Sequence, residues 1–148
     1  MFYGEYTHSL DKKSRIIIPS RFRDALKENF VEKIYITRGL EKCLFIFPQD
    51  EWKRQESRFK GMSLTRLDSR KFNRLFFSGA FETVYDVQGR ILIPQYLREY
   101  AAIDKDIVIV GVSNRFEIWS KENWKNYYRD SINSFEDIAQ NLIDGQDQ

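Results

Sequence analysis

The sequence predicts an α+β fold with a pseudo-two-fold axis, made of two copies of one ββαββ unit and flanking helices. The block from Asp11 to Pro19 returns 75 positions later as Asp86 to Pro94. Farther along, the spacing of the matches slips to 73 and then 72, as short loop insertions would leave it. Each copy also alternates β-rich runs with helical spacing. A repeat of this length is a fold unit rather than one turn of a solenoid.

The first two strands of each copy flank a polar turn. They are predicted at Thr7 to Leu10 and Arg15 to Ile18, and again at Glu82 to Tyr85 and Arg90 to Ile93. The second turn has Asp first and Gly89 fourth, which is typical of a type I turn whose last residue takes a positive φ. Ser14 replaces that glycine in the first copy. We therefore expect the first turn to be strained or to change type.

A short helix and a second strand pair complete each copy. Pro19 and Pro94 end the preceding strands, because proline cannot donate to a β-ladder. The helices are predicted at Ser20 to Glu28 and Gln95 to Ala102. The strand pairs are predicted at Lys33 to Thr37 with Cys43 to Phe47, and at Asp106 to Val110 with Phe116 to Trp119.

Further helices close the copies and link them. Trp52 and Trp124 mark the closing helices, the first of which is predicted at Gln49 to Lys60 and ends at Gly61. A linking helix from Leu64 to Phe77 is apolar on one side and basic on another. We divide the chain into a first repeat (1–60), a linking helix (61–76), a second repeat (77–131) and a C-terminal helix with an acidic tail (132–148), all within one domain.

Charge is distributed unevenly along the chain. The net charge is +2, but residues 136–148 hold four acidic and no basic side chains. The preceding part therefore carries 24 basic and 18 acidic groups, a net charge of +6. Several of these bases lie beside the first copy of the repeated motif. Such a concentration suggests a polyanionic partner, with an ordinary solvated surface as the alternative.

Several function classes lack the residues that they need. Cys43 is the only cysteine and lies in an apolar run, which predicts a buried side chain and a reducing, cytoplasmic setting. His8 is the only histidine, and the seven glycines form no phosphate-binding loop. The longest apolar stretch, Ile107 to Val112, is too short to span a bilayer. We expect no enzyme activity, catalytic residue, cofactor, metal, membrane association or small-molecule ligand.

Each repeated turn has an aspartate four residues before an arginine. The aspartate can accept backbone N–H bonds and hold the arginine in one rotamer through an ion pair. An oriented guanidinium can bind a guanine edge or a phosphate through two parallel hydrogen bonds. A surface ion pair that only staples the turn explains the same spacing, and this alternative stays open.

The two blocks, each close to D-x-x-x-R-I-x-I-P-x-x-[FL]-R, resemble the MraZ family of bacterial transcriptional regulators, which is associated with the division and cell wall gene cluster. The likeness covers residues 1–143. It implies a pseudo-two-fold swapped-hairpin β-barrel of the AbrB and MazE class, with both units in one chain. It also implies sequence-specific DNA binding through the DxxxR turns, repression of the protein's own operon and assembly into a ring.

The family motif falls on four residues of this sequence, Asp11 and Arg15 in the first half and Asp86 and Arg90 in the second. Lys12 and Lys13 occupy the first turn, where they could hold phosphates. The second turn has no basic residue between its aspartate and arginine. We therefore expect the first turn to supply more of the electrostatic attraction to DNA.

The expected partners are operator DNA with short direct repeats about 10 bp apart and further copies of this chain in a ring-like homo-oligomer. The apolar side of the linking helix and the segment Trp124 to Phe135 are candidate contact surfaces, although core packing explains their apolar residues equally well. The expected location is the cytoplasm, in association with the nucleoid.

Two other functions remain open. An antidote-type protein-binding module should have a long disordered C-terminal arm, whereas this tail is short and keeps helical spacing to Ile143. An RNA-binding protein would use exposed aromatic and basic side chains, and 16% of the residues are aromatic.

Overall fold

The computed structural model of the chain describes residues 1–146. The first half contains β1 (Glu5–Ser9), β2 (Arg15–Ile17), α1 (Ser20–Glu28), β3 (Lys33–Arg38), β4 (Leu44–Pro48), α2 (Gln49–Lys60) and the linking helix α3 (Leu67–Ser78). The second half contains β5 (Phe81–Val84), β6 (Arg90–Leu92), α4 (Gln95–Tyr100), β7 (Asp106–Gly111), β8 (Phe116–Ser120), α5 (Lys121–Ser131), a 3₁₀ turn (Ile132–Ser134) and α6 (Phe135–Gln146). Asp147, the last acid of the predicted tail, lies outside the described residues.

The strands of the two halves are exchanged. Strand β1 of the first half pairs with β7 of the second, and β5 of the second half pairs with β3 of the first. Strand β2 pairs with β6, again across the halves. The predicted pairs β3–β4 and β7–β8 are present, and β4–β8 joins them at the centre of the larger sheet. Neither half therefore has a sheet of its own.

The predicted closed barrel is not formed by the described strands. The six-stranded sheet has the order β1-β7-β8-β4-β3-β5, which leaves β1 and β5 at its two edges. Strands β2 and β6 form a separate two-stranded sheet. They are three residues long, and the chain enters α1 directly after Pro19 and α4 directly after Pro94. The carbonyls of these two prolines accept the first N–H groups of the helices. The fold is thus α+β with two antiparallel sheets.

The predicted strand pairs around the polar turns meet only at the turns themselves. The Asp11 N–H donates to the Arg15 carbonyl at 2.9 Å, and the Asp86 N–H donates to the Arg90 carbonyl at 3.1 Å. Beyond these bonds the flanking strands separate to join the opposite half. Cross-half pairing buries Ile16 of β2 and its counterpart in β6 in one shared core, which pairing within each half would not bring together.

One hydrophobic core joins both halves. It contains buried isoleucines of β2 and β6, and Phe22 and Leu26 of α1. Phe22 contacts Phe2 at a ring centroid distance of 5.2 Å, and Phe116 of β8 at 5.1 Å. Cys43 is fully buried, as predicted, and burial raises the pKa of its thiol. The core thus covers one face of β2 and β6, and the other face of these strands is exposed to solvent.

The linking helix packs over the first half of the chain through aromatic side chains. Trp52 of α2 stacks on Tyr35 at 5.1 Å and on Phe76 of α3 at 5.6 Å between ring centroids. The Thr37 hydroxyl donates to the Phe76 carbonyl at 2.5 Å, and Arg38 donates to the Leu75 carbonyl at 2.6 Å. The apolar side of the predicted linking helix is therefore partly used in packing within the chain.

Candidate nucleic-acid interface

The first turn, residues 11–15, holds its aspartate and arginine in a closed network. One Asp11 oxygen, Oδ1, accepts the backbone N–H groups of Lys13 at 2.8 Å and Arg15 at 2.9 Å. The other, Oδ2, accepts the Nε–H of Arg15 at 2.8 Å. Three donors fix the carboxylate, and the carboxylate in turn fixes the guanidinium.

The second turn, residues 86–90, repeats this geometry. Asp86 Oδ1 accepts the N–H groups of Gln88 at 3.0 Å and Arg90 at 2.8 Å, and Oδ2 accepts the Nε–H of Arg90 at 2.7 Å. The corresponding distances in the two turns thus agree within 0.2 Å. The duplicated motif is a duplicated arrangement of atoms.

Both aspartates are held in the ionised form. The backbone N–H of Arg15 does most to lower the pKa of Asp11 below its ordinary value, and the guanidinium lowers it further. The same two groups of Arg90 lower the pKa of Asp86. Both ion pairs are therefore complete at neutral pH.

Each arginine keeps one edge free. The ion pairs use the Nε–H, and within the described part of the chain no hydrogen bond uses Nη1 or Nη2 of Arg15 or Arg90. The two side chains are 27% and 30% exposed. Each guanidinium is thus oriented and still has terminal N–H donors for a planar acceptor pair.

The backbone of the two turns is also the same. Gly89 has φ 78°, as the turn pattern predicts, and Ser14 has φ 60° in the equivalent position. The Ser14 N–H donates to the Asp11 carbonyl at 3.0 Å, and the Gly89 N–H donates to the Asp86 carbonyl at 2.9 Å. The first turn therefore keeps the type of the second. It is strained rather than re-typed, because a residue with a side chain is disfavoured at positive φ.

Strands β2 and β6, which we call the ribbon, place both arginines on one face. The register pairs Arg15 with Leu92, Ile16 with Ile91 and Ile17 with Arg90. The central pair is 0–1% exposed and points into the core, so the other four side chains lie on the outer face. The arginines are diagonal, two residues apart along the ribbon, or about 7 Å at a rise of about 3.4 Å per residue.

Backbone hydrogen bonds tie each turn to the opposite half. The Ile18 N–H donates to the Gly89 carbonyl at 2.8 Å, and the Ile93 N–H donates to the Ser14 carbonyl at 3.0 Å. These bonds extend the ribbon at both ends. The two turns are consequently fixed relative to one another as well as internally.

The tips of the turns differ in charge. Lys12 and Lys13 are exposed at the first tip. Gln88 is exposed at the second, and Val87 beside it is fully exposed. The six predicted site residues therefore lie in the two turns of one ribbon, and the tips are not buried in the core.

Arg23 also contributes to the second turn, although it is not among the six residues predicted from the sequence. It comes from α1 of the first half, and its Nη1 donates to the Gln88 carbonyl at 3.4 Å. Its Cδ lies so close to Gly89 that an added Cβ would overlap it. The repeat matches Arg23 to Arg98, which instead donates its Nε–H to the Ile93 carbonyl at 3.0 Å. The match signals a paired role, but only the structure shows that Arg23 crosses to the other half.

Comparison with known proteins agrees with the resemblance noted in the sequence. The model of the MraZ protein family, which is described as antitoxin-like, matches residues 1–75 and again residues 76–145. Each match contains one DxxxR turn. This family consists of nucleic-acid-binding regulators and is not known for enzymes. Across residues 1–146, no helix is both long and apolar enough to cross a membrane. The two matches cover nearly the whole chain, and it therefore belongs to the MraZ family.

Proposed function

We propose that this protein is a sequence-specific DNA-binding regulator that represses its own division and cell wall operon. The observation that carries the proposal is the outer face of the ribbon, where Arg15 and Arg90 are oriented by their aspartates and keep their terminal donors free. The major groove of B-DNA admits a two-stranded β-ribbon. A pair of held guanidinium groups on such a ribbon suits the reading of base edges.

Each arginine would donate two hydrogen bonds to O6 and N7 of one guanine, which is the commonest specific contact in the major groove. The separation of about 7 Å along the ribbon corresponds to about two base steps of 3.4 Å. The proposed recognition element thus contains two guanines about two steps apart. Asp11 and Asp86 act as positioning residues, because each holds an arginine in the required direction.

Lys12 and Lys13 have a different proposed role. They lie exposed beyond the ribbon, where the first tip would approach the sugar–phosphate backbone, and lysine binds phosphate as a point charge. The second tip has no cation between its aspartate and arginine. The first turn would thus supply more attraction, while Arg90 would supply mostly geometry.

Self-association would raise the affinity of so small a module. Tethered protomers increase the effective concentration of each further ribbon at the DNA, and a head-to-tail ring suits direct repeats about 10 bp apart. Tyr127 and Tyr128 of α5 and Phe135 of α6 are exposed and offer a contact surface. The exchange of strands between halves supports the proposed relation to the swapped-hairpin units of AbrB and MazE. The proposal places the protein at the nucleoid, in the cytoplasm.

The test measures binding to duplex DNA from upstream of the protein's own gene by fluorescence anisotropy. Arg15→Ala and Arg90→Ala should each weaken binding by about 1–3 kcal/mol, whereas Arg74→Ala on the exposed side of α3 should not. Replacing guanine by 7-deazaguanine in the DNA removes N7 and should weaken binding of the wild-type protein. The same replacement should not further weaken binding of the double variant that combines Arg15→Ala and Arg90→Ala. Full affinity in the folded double variant would overturn the proposal.

The description of the family as antitoxin-like favours a second candidate, a module that grips a partner protein. The same titration separates the two, since a protein-binding module would show no preference for the upstream duplex over random duplex. Competition with single-stranded RNA tests the RNA-binding alternative. Tighter binding of RNA than of upstream duplex would favour that alternative.

A further inference from the structure

The outer face of the ribbon carries two apolar side chains, each directly opposite one of its arginines. This face points to solvent, yet two of its side chains are apolar: Ile17 is 46% exposed and Leu92 is 45% exposed. Both halves of the chain place a branched aliphatic residue at this position. Neither side chain belongs to the hydrophobic core. The ribbon contributes to that core through the buried pair Ile16 and Ile91 at the ribbon's centre.

We propose that Ile17 and Leu92 contact the methyl groups of thymines and so determine part of the operator sequence. The inference rests on the proposed DNA-binding function and deepens it. The register places Leu92 directly opposite Arg15 and Ile17 directly opposite Arg90. Residues opposite one another on antiparallel strands have Cβ atoms about 4.5–5.5 Å apart. Each apolar side chain therefore lies beside one of the proposed guanine-reading groups.

The chemistry of the groove identifies what these side chains would meet. The C5-methyl of thymine is the apolar group that a base pair presents in the major groove. A guanidinium on the O6 and N7 atoms of a guanine brings its aliphatic neighbour to about the next base pair. The recognition element would therefore combine each guanine with a nearby thymine on either strand.

The charges on this face favour DNA over a second copy of the chain. Arg15 and Arg90 each lie beside one of the apolar side chains and have no hydrogen bond on their terminal nitrogens within the described residues. An apolar protein surface pressed onto this face would bury those donors without partners, which is costly. A base edge supplies acceptors for the arginines and a methyl group for the aliphatic side chains in one contact.

The test removes the methyl groups from the DNA and leaves the protein intact. Both strands of the upstream duplex are synthesised with deoxyuridine in place of thymidine, so every thymine loses its C5-methyl and keeps its hydrogen-bonding atoms. Each lost contact should weaken wild-type binding about fourfold, from about 0.8 kcal/mol per buried methyl, and two should weaken it more than tenfold. A random duplex with the same substitution gives the baseline for altered DNA shape.

A double variant, Ile17→Ser with Leu92→Ser, completes the cycle. On thymine DNA this variant should bind more weakly than the wild-type protein by a similar factor, and replacing thymine by uracil should weaken its binding little further. As a control, Leu142→Ser on the exposed face of α6 should lose as much affinity on uracil DNA as the wild-type protein does. Circular dichroism and sedimentation velocity report whether the variants keep their fold and assembly. The inference would be overturned if the double serine variant bound more weakly than the wild-type protein by the same factor on thymine DNA and on uracil DNA. An altered assembly state of this variant would also overturn it.

Failure of this inference is distinguishable from failure of the proposed function. If uracil DNA binds the wild-type protein as tightly as thymine DNA while Arg15→Ala still weakens binding, thymine reading is wrong and DNA recognition by the ribbon stands. If the arginine variants bind normally, the proposed function itself fails. A loss on uracil DNA that the serine variants abolish supports both.

Discussion

Replacing Lys12 and Lys13 with glutamine should change the salt dependence of operator binding. Both side chains are exposed at the tip of the first turn, so their removal takes away two cations per protomer. The turn itself should survive, because the bond from residue 13 to Asp11 uses the backbone N–H. The substitution therefore tests charge separately from the orientation of Arg15.

The expected magnitude follows from counterion release. Each phosphate neutralised on duplex DNA contributes about −0.9 to the slope of log K against log salt concentration. Two lost contacts should make the slope shallower by about 1.8 for each bound protomer. Over a tenfold range of salt, the wild-type protein should lose about sixtyfold more affinity per protomer than the variant.

Anisotropy titrations on the upstream duplex at several salt concentrations measure this slope. The converse variant, Val87→Lys with Gln88→Lys, adds two cations at the second tip and should steepen the slope by a similar amount. A parallel loss of affinity at every salt concentration, with the slope unchanged, would refute phosphate binding by Lys12 and Lys13. An unchanged slope in the converse variant would refute the expectation that cations at the second tip reach DNA phosphates as those at the first tip do.

Three further predictions concern the turns. Ser14→Gly should stabilise the fold by about 0.5–1 kcal/mol in urea denaturation, because glycine accepts φ 60° more readily than serine. Gly89→Ala should destabilise it by about 2 kcal/mol or more in the same assay, because the methyl group meets Arg23 at positive φ; a smaller loss would show that Arg23 moves away easily. The pKa values of Asp11 and Asp86 are lowered first by the backbone N–H bonds and then by the arginine side chains, so these contacts stabilise the fold at pH values above the ordinary pKa of 3.8. This stabilisation is lost as the pH falls from there through the lowered pKa values of the folded protein. NMR titration of the two carboxyl groups checks this, and midpoints above 3.8 would contradict it.

The geometry of the turns could be predicted because it depends on residues close together in the chain. Aspartate at the first position and glycine at the fourth encode the turn, and the four-residue spacing encodes the ion pair. The strain at Ser14 is one of the two outcomes that its sequence allows. The hydrogen bond from the opposite half to its carbonyl helps to hold that turn in the shape of its counterpart.

The outer face of the ribbon could not be predicted in the same way. Residues 16–18 are all isoleucine, so the alternation between buried and exposed positions leaves no trace in the residue types. Only the pairing with β6 shows that Ile16 is buried and Ile17 exposed. The crossing of Arg23 to the second turn is equally invisible, since it joins residues 65 positions apart.

By itself, the sequence determined the duplicated unit, the order of its strands and helices, the two DxxxR turns and the burial of Cys43. Each of these depends on local spacing, local turn chemistry or a run of apolar side chains. The tertiary structure decided which strands pair, and it produced exchanged strands and an open six-stranded sheet instead of a closed barrel. The physical reason is that pairing depends on apolar faces far apart in the chain, which are buried only when the two halves share one core. That shared core brings Arg15 and Arg90 onto the same face.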